Sequence, residues 1–111
     1  MSLHYFLLTY TVSPTDTSSE TKKKLANKVR DKIADIDVGW TKSETVETVF
    51  SGILTLTKSF KFDKREEVKE LVRATFDKVV VDCEANRRSV QINFSIMVEE
   101  LDSAFEFDLY S

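Results

Sequence analysis

The chain has 111 residues, 41% of them hydrophobic and 32% charged, so it is long enough to bury one core and too apolar to stay disordered. A formal net charge of −3 argues against wholesale coating of nucleic acid, which needs a clustered positive field, but leaves room for a local basic patch. Two glycines and one proline allow few long loops, and the apolar runs fall far short of a membrane span; no charged segment leads into an apolar stretch as in an export signal.

Residues 3–12 (LHYFLLTYTV) predict a strand that Pro14 ends. Tyr5 and Leu7 point to one side of it, and Phe6, Leu8, Tyr10 and Val12 to the other, so both faces are apolar. A central strand packed on both sides reads this way, and so does one whose second face meets a partner. Thr17-Ser18-Ser19-Glu20 has the form of a capping box, and Leu25, Val29, Ile33 and Ile36 follow as one apolar stripe on a helix of about five turns. Asp37-Val38-Gly39 supplies its stop, the glycine taking a left-handed cap. Residues 38–42 then read as a short edge strand, 43–47 as a connection and 48–58 as a longer central strand, unless Ser51-Gly52 makes a hairpin turn.

Asp63-Lys64-Arg65-Glu66 repeats the capping logic ahead of a second amphipathic helix marked by Val68, Leu71, Val72, Phe76 and Val79. In residues 89–99, Val90, Ile92, Phe94, Ile96 and Val98 alternate with Gln91, Asn93 and Ser95, the pattern of a strand with one face on the core. Phe105, Phe107 and Leu109 continue the period of two in a terminal strand or tail over residues 103–111. The order β-α-β-β-α-β plus a last strand predicts a single α+β domain over 1–111. With right-handed crossovers it becomes a ferredoxin-like split βαβ layout: an antiparallel sheet of four or five strands with both helices on one face.

Much common site chemistry is missing. His4 is the sole histidine, so neither a histidine pair nor a histidine-built metal site comes from one chain. Cys83 is the only cysteine; no disulfide closes within the chain, which fits a reducing, cytoplasmic setting. Cys83 with His4 is the one thiol–imidazole combination on offer, set against a plain buried thiol. With only Gly39 and Gly52, neither common phosphate-cradling loop can be written, and no cofactor or metal is expected. Asp16, just past the first strand, reads as a turn or cap residue, or alternatively as a catalytic carboxylate.

Charge is placed unevenly. Lys24, Lys28 and Lys32 line one side of the first helix, while the last thirteen residues carry Glu99, Glu100, Asp102, Glu106 and Asp108 and no basic group. Both can be solvated faces; a sharper reading docks the acidic tail, with Phe105, Phe107, Leu109 and Tyr110, on a protein partner or a second copy. Lys58, Phe60, Lys61, Phe62, Lys64 and Arg65 interleave aromatics with cations, as single-stranded nucleic acid sites do, and Arg87 and Arg88 extend that rim. The plainer reading has those phenylalanines closing the core at a strand-to-helix corner. The third strand, from Phe50 to Thr55, lacks the basic-glycine-aromatic order of an RRM.

A strand ending near Val12, a long helix, a strand over 50–57, a helix from Asp63 and a closing VQINFSIM strand with an aromatic-acidic tail together resemble the GhoS-type antitoxin endoribonucleases. Those in turn are similar to the small CRISPR-associated spacer-acquisition nucleases. The resemblance implies a ferredoxin-like homodimer whose terminal strands exchange contacts, and cleavage of RNA. That group's acidic residue lies at or just after the end of the first strand, where this chain has Thr11-Val12-Ser13-Pro14, with Asp16 beyond the proline. The leading expectation is therefore a non-catalytic, homodimeric interaction or regulatory module. A metal-assisted, GhoS-like endoribonuclease or RNA-binding antitoxin is the alternative, its contacts Asp16, Lys58, Phe60, Lys61, Arg87 and Arg88.

Overall fold

The computed structural model describes residues 2–46, 48–85 and 88–111. Seven elements follow in chain order: β1 (Ser2–Pro14), α1 (Glu20–Ile33), β2 (Thr41–Lys42), β3 (Val49–Leu56), α2 (Lys61–Asp82), β4 (Val90–Val98) and β5 (Phe105–Tyr110). The strands form one sheet in the order β2-β3-β1-β4-β5, every neighbouring pair antiparallel. The fold class is α+β, with two helices and five strands. β2 therefore runs parallel to β1 with β3 inserted between them, and β5 extends the β4 side.

β1 is central because it is long enough to serve two neighbours in stagger. Residues 2–9 pair with β3, and residues 6–14 pair with β4. Its even-numbered side chains, from His4 to Val12, are all buried. The same face carries Phe50, Leu54 and Leu56 of β3 and every even residue of β4 from Val90 to Val98. Both helices pack there, on each other and on the sheet, and a single core cluster joins them. Phe76 of α2 sits at its middle, with ring centroids 5.5 Å from Tyr10, 6.1 Å from Phe50 and 4.8 Å from Phe94.

The helix boundaries differ from those expected. The N-cap of α1 is Ser19, whose hydroxyl accepts from the Lys22 amide at 3.2 Å; Thr17 lies outside the helix, so no capping box forms from it. α1 ends at Ile33 with Ala34 as its C-cap, and Gly39 takes its positive φ of 84° in the following loop instead of capping the helix. α2 starts at Lys61, earlier than Asp63, after an N-cap Phe60 that makes no side-chain cap bond. Asp63 falls instead in the first turn, where a negative charge suits the helix dipole.

β2 is confined to two residues, and β3 runs unbroken through Ser51 and Gly52, so no hairpin turn splits it. Gly52 lies opposite Phe6, where a Cβ would come within 3.1 Å of that ring and 3.3 Å of Trp40. The missing side chain lets the strand pass beneath two aromatic rings. The 43–47 connection runs into Glu47, outside the described residues.

Candidate functional site

Because paired residues of an antiparallel sheet share a face, the registers define the surface left open by the helices. It consists of Leu3, Tyr5, Leu7, Thr9, Thr11 and Ser13 of β1, together with Val49, Ser51, Ile53 and Thr55 of β3 and Thr41 of β2. β4 adds Gln91, Asn93, Ser95 and Met97, and β5 adds Glu106, Asp108 and Tyr110. Tyr5 lies opposite Ile53, and Leu7 lies between Ser51 and Met97. With Leu3 two residues before Tyr5 on the same face, the five apolar residues Leu3, Tyr5, Leu7, Ile53 and Met97 are neighbours along one end of it. Leu3 is 68% exposed and Tyr5 65%. Neighbouring exposed apolar side chains of this kind mark a contact surface more often than single scattered ones do.

The other end of the same face is polar. Thr9, Thr11, Asn93, Ser95, Glu106 and Asp108 line a shallow open groove. Glu106 and Asp108 are the only charged strand residues on the face, and no lysine or arginine of the strands joins them. Lys42, the one basic strand residue, turns to the core side, its ammonium 5.0 Å from the Phe50 ring centroid. A sheet face of this kind repels phosphates, whereas single-strand binders need a positive track beside their stacking aromatics.

Asp16 lies at an exposed turn between β1 and α1, accepting from the Ser18 amide at 2.9 Å and from its hydroxyl at 2.6 Å. Those Ser18 bonds, side chain first, hold its carboxyl below the usual aspartate value. These are the bonds of a turn residue, the helix cap being Ser19. Among the described residues no three metal-ligating side chains gather where an ion could be held.

His4 is buried, its Nδ1 2.9 Å from the Glu99 carbonyl and its Nε2 2.7 Å from the Ser2 hydroxyl. Cys83 is buried at the far end of α2, 3.6 Å from the Lys28 carbonyl, and burial pushes its thiol above the ordinary range. The two do not meet.

The basic-aromatic segment is not what closes the core. Phe60 is 74% exposed and Phe62 69%, at the tip where β3 hands over to α2. Lys61 pairs with Asp102 at 3.0 Å and Arg65 with the same carboxylate at 3.1 Å, which lowers the Asp102 pKa through the Lys61 contact first. Asp63, Glu66, Glu67 and Asp102 balance Lys58, Lys61, Lys64 and Arg65, so the tip carries no net positive charge. Arg88 lies at the opposite end of the molecule, its guanidinium 4.1 Å from the Tyr110 ring centroid. The length of β1 separates it from the tip, about 40 Å at roughly 3.3 Å per residue. Arg87 is outside the described residues.

Of the tail residues, Phe105, Phe107 and Leu109 are half-buried against the core of their own chain, Phe107 stacking on Phe94 at 4.9 Å. Tyr110 is exposed beneath Arg88. The sequence reading had missed Leu3, Ile53 and Met97 as surface residues. Alternation alone shows the buried face of β4, whereas both faces of β1 are apolar and alternation does not say which one meets the helices. Among the described residues no helix is long and apolar enough to cross a membrane. No family model, curated protein or solved structure matches the chain.

Proposed function

We propose that this chain is a non-catalytic interaction module that forms a homodimer through the helix-free face of its sheet. The observation that carries this reading is the exposed apolar end made by Leu3, Tyr5, Leu7, Ile53 and Met97, with Glu99 and Glu100 at its margin. An apolar patch is complementary to itself, so a two-fold axis through its centre brings like against like and leaves Glu99 and Glu100 at the rim. The engaged states of Asp16, His4 and Cys83 support a non-catalytic role, since none is poised as a nucleophile or base.

The strand order and uniform antiparallel pairing support a ferredoxin-like split βαβ arrangement, with β5 added beside β4. The single buried thiol fits a cytoplasmic location. The alternative, a GhoS-like endoribonuclease or RNA-binding antitoxin, rests on the likeness in element order and draws less support. Its contacts lie at two ends of the molecule, and the sheet face is acidic.

Sedimentation equilibrium at micromolar to high-micromolar concentration tests the proposal. The expected result is a dimer, converted to a folded monomer by Leu7→Lys or Tyr5→Lys. A monomer throughout that range ends it. Cleavage of mixed RNAs in magnesium or manganese that disappears in Asp16→Ala would replace it with the alternative.

A further inference from the structure

β5 is the edge of the sheet, and its hydrogen-bonding direction can be read from its last residue. Ser111 donates to the Val90 carbonyl at 3.0 Å, so odd-numbered residues of this strand turn their backbone groups toward β4. Glu106, Asp108 and Tyr110 consequently turn theirs outward. Arg73 of α2 bears this out, its Nε donating to the Asp108 carbonyl at 2.9 Å from outside the sheet. No other outward group of these three residues has a partner among the described residues.

The two sides of this edge differ in chemistry. On the helix side Phe105, Phe107 and Leu109 are half-buried, leaving part of an apolar row uncovered along the margin of the core. On the open side lie the carboxylates of Glu106 and Asp108, neither paired with a cation among the described residues. From this combination we infer that the β5 edge binds an extended segment of another protein by strand addition, one that alternates apolar with basic side chains. The backbone row supplies the ladder, the Phe105-Phe107-Leu109 row takes the apolar side chains, and Glu106 and Asp108 take the basic ones.

Charge decides between this occupant and a second copy. Two β5 strands paired across a two-fold axis set carboxylate against carboxylate on the open face, and like charges directly opposite destabilise a strand pair. The same carboxylates keep the edge from pairing with itself, as charged edge strands commonly do. The Arg73 contact covers only one outward carbonyl and the Phe107 ring, 5.3 Å away, and leaves the amides of Glu106, Asp108 and Tyr110 open.

The probe is a ten-residue peptide alternating lysine with valine, compared with one alternating glutamate with valine, titrated into the full chain and followed by amide NMR and fluorescence anisotropy. The lysine peptide should bind, with shifts centred on residues 105–110. The glutamate peptide should bind at least about tenfold more weakly. Asp108→Pro removes an outward amide without touching the β4–β5 ladder, a position where edge strands tolerate proline, and it should abolish binding in a chain still folded by circular dichroism. Glu106→Lys, an exposed change that leaves the backbone intact, neutralises the Glu106–Asp108 pair and should erase most of the peptide preference. No binding by the lysine peptide, equal binding of both, or shifts on Leu3, Tyr5 and Met97 instead would overturn the assignment. The readout is separate from the dimer test, because the peptide is titrated against monomeric Leu7→Lys as well as against the unmodified chain.

Discussion

Gly52 and Glu67 show how single residues set local geometry. At Gly52 the reason for glycine is space, since a Cβ there would come within 3.1 Å of the Phe6 ring. Gly52→Ala requires the Phe6 and Trp40 rings, packed edge-on with centroids 5.1 Å apart, to give by a few tenths of an ångström. Chemical denaturation should show a loss of about 1–3 kcal/mol, the usual cost of overpacking. Glu67 receives the Thr57 amide at 2.9 Å, the Thr57 hydroxyl at 2.8 Å and the Lys58 amide at 3.3 Å. Burial alone would raise its pKa, but the Thr57 and Lys58 bonds outweigh it and hold the carboxyl below 4.5. A carboxylate with a depressed folded-state pKa contributes stability above its unfolded pKa and loses it as pH falls through the folded one. Urea midpoints measured from neutral into the acidic range should therefore decline, and Glu67→Gln should flatten the part of that decline lying below 4.5.

At the scale of elements, caps and alternation behaved differently. The serine-rich start of α1 was visible in the sequence, but three successive hydroxyl residues competed for one capping position. The winner, Ser19, is the one whose backbone is extended at φ −89° and ψ 114°. Ser19→Ala should cost about 1 kcal/mol, whereas Thr17→Ala should leave the midpoint of thermal unfolding nearly unchanged. Phe76 belongs to α2, yet its ring packs on rings from β1, β3 and β4. Phe76→Ala should lose about 3–5 kcal/mol by calorimetry, enough to leave a domain of this size barely folded. The period of two in β4 and the period near 3.6 in α2 were both legible because each places one face on the same core. The starts of the two helices were not, because propensity alone does not choose among neighbouring caps.

For the whole molecule, both helices lie on one side of the sheet, so the opposite side either faces water or meets a partner. The proposed dimerisation through Leu3, Tyr5, Leu7, Ile53 and Met97 would link folding to concentration. The thermal midpoint of the unmodified chain should then rise by roughly a few degrees per tenfold increase in protein, and that dependence should vanish in Leu7→Lys.

Local periodicity by itself determined the two helices, the principal strands and the buried residues of β4, since a side chain's face follows from its position along an element. Only the tertiary structure decided which apolar face of β1 is covered. Leu7 and Leu8 are equally hydrophobic neighbours, and it is the docking of α1 and α2 on the even-numbered side that buries one and leaves the other half in water. The same applies to the separation of Arg88 from Lys58, Phe60 and Lys61. Thirteen residues of extended strand stand between the two ends, and sequence spacing carries no information about which end of a sheet a loop will occupy.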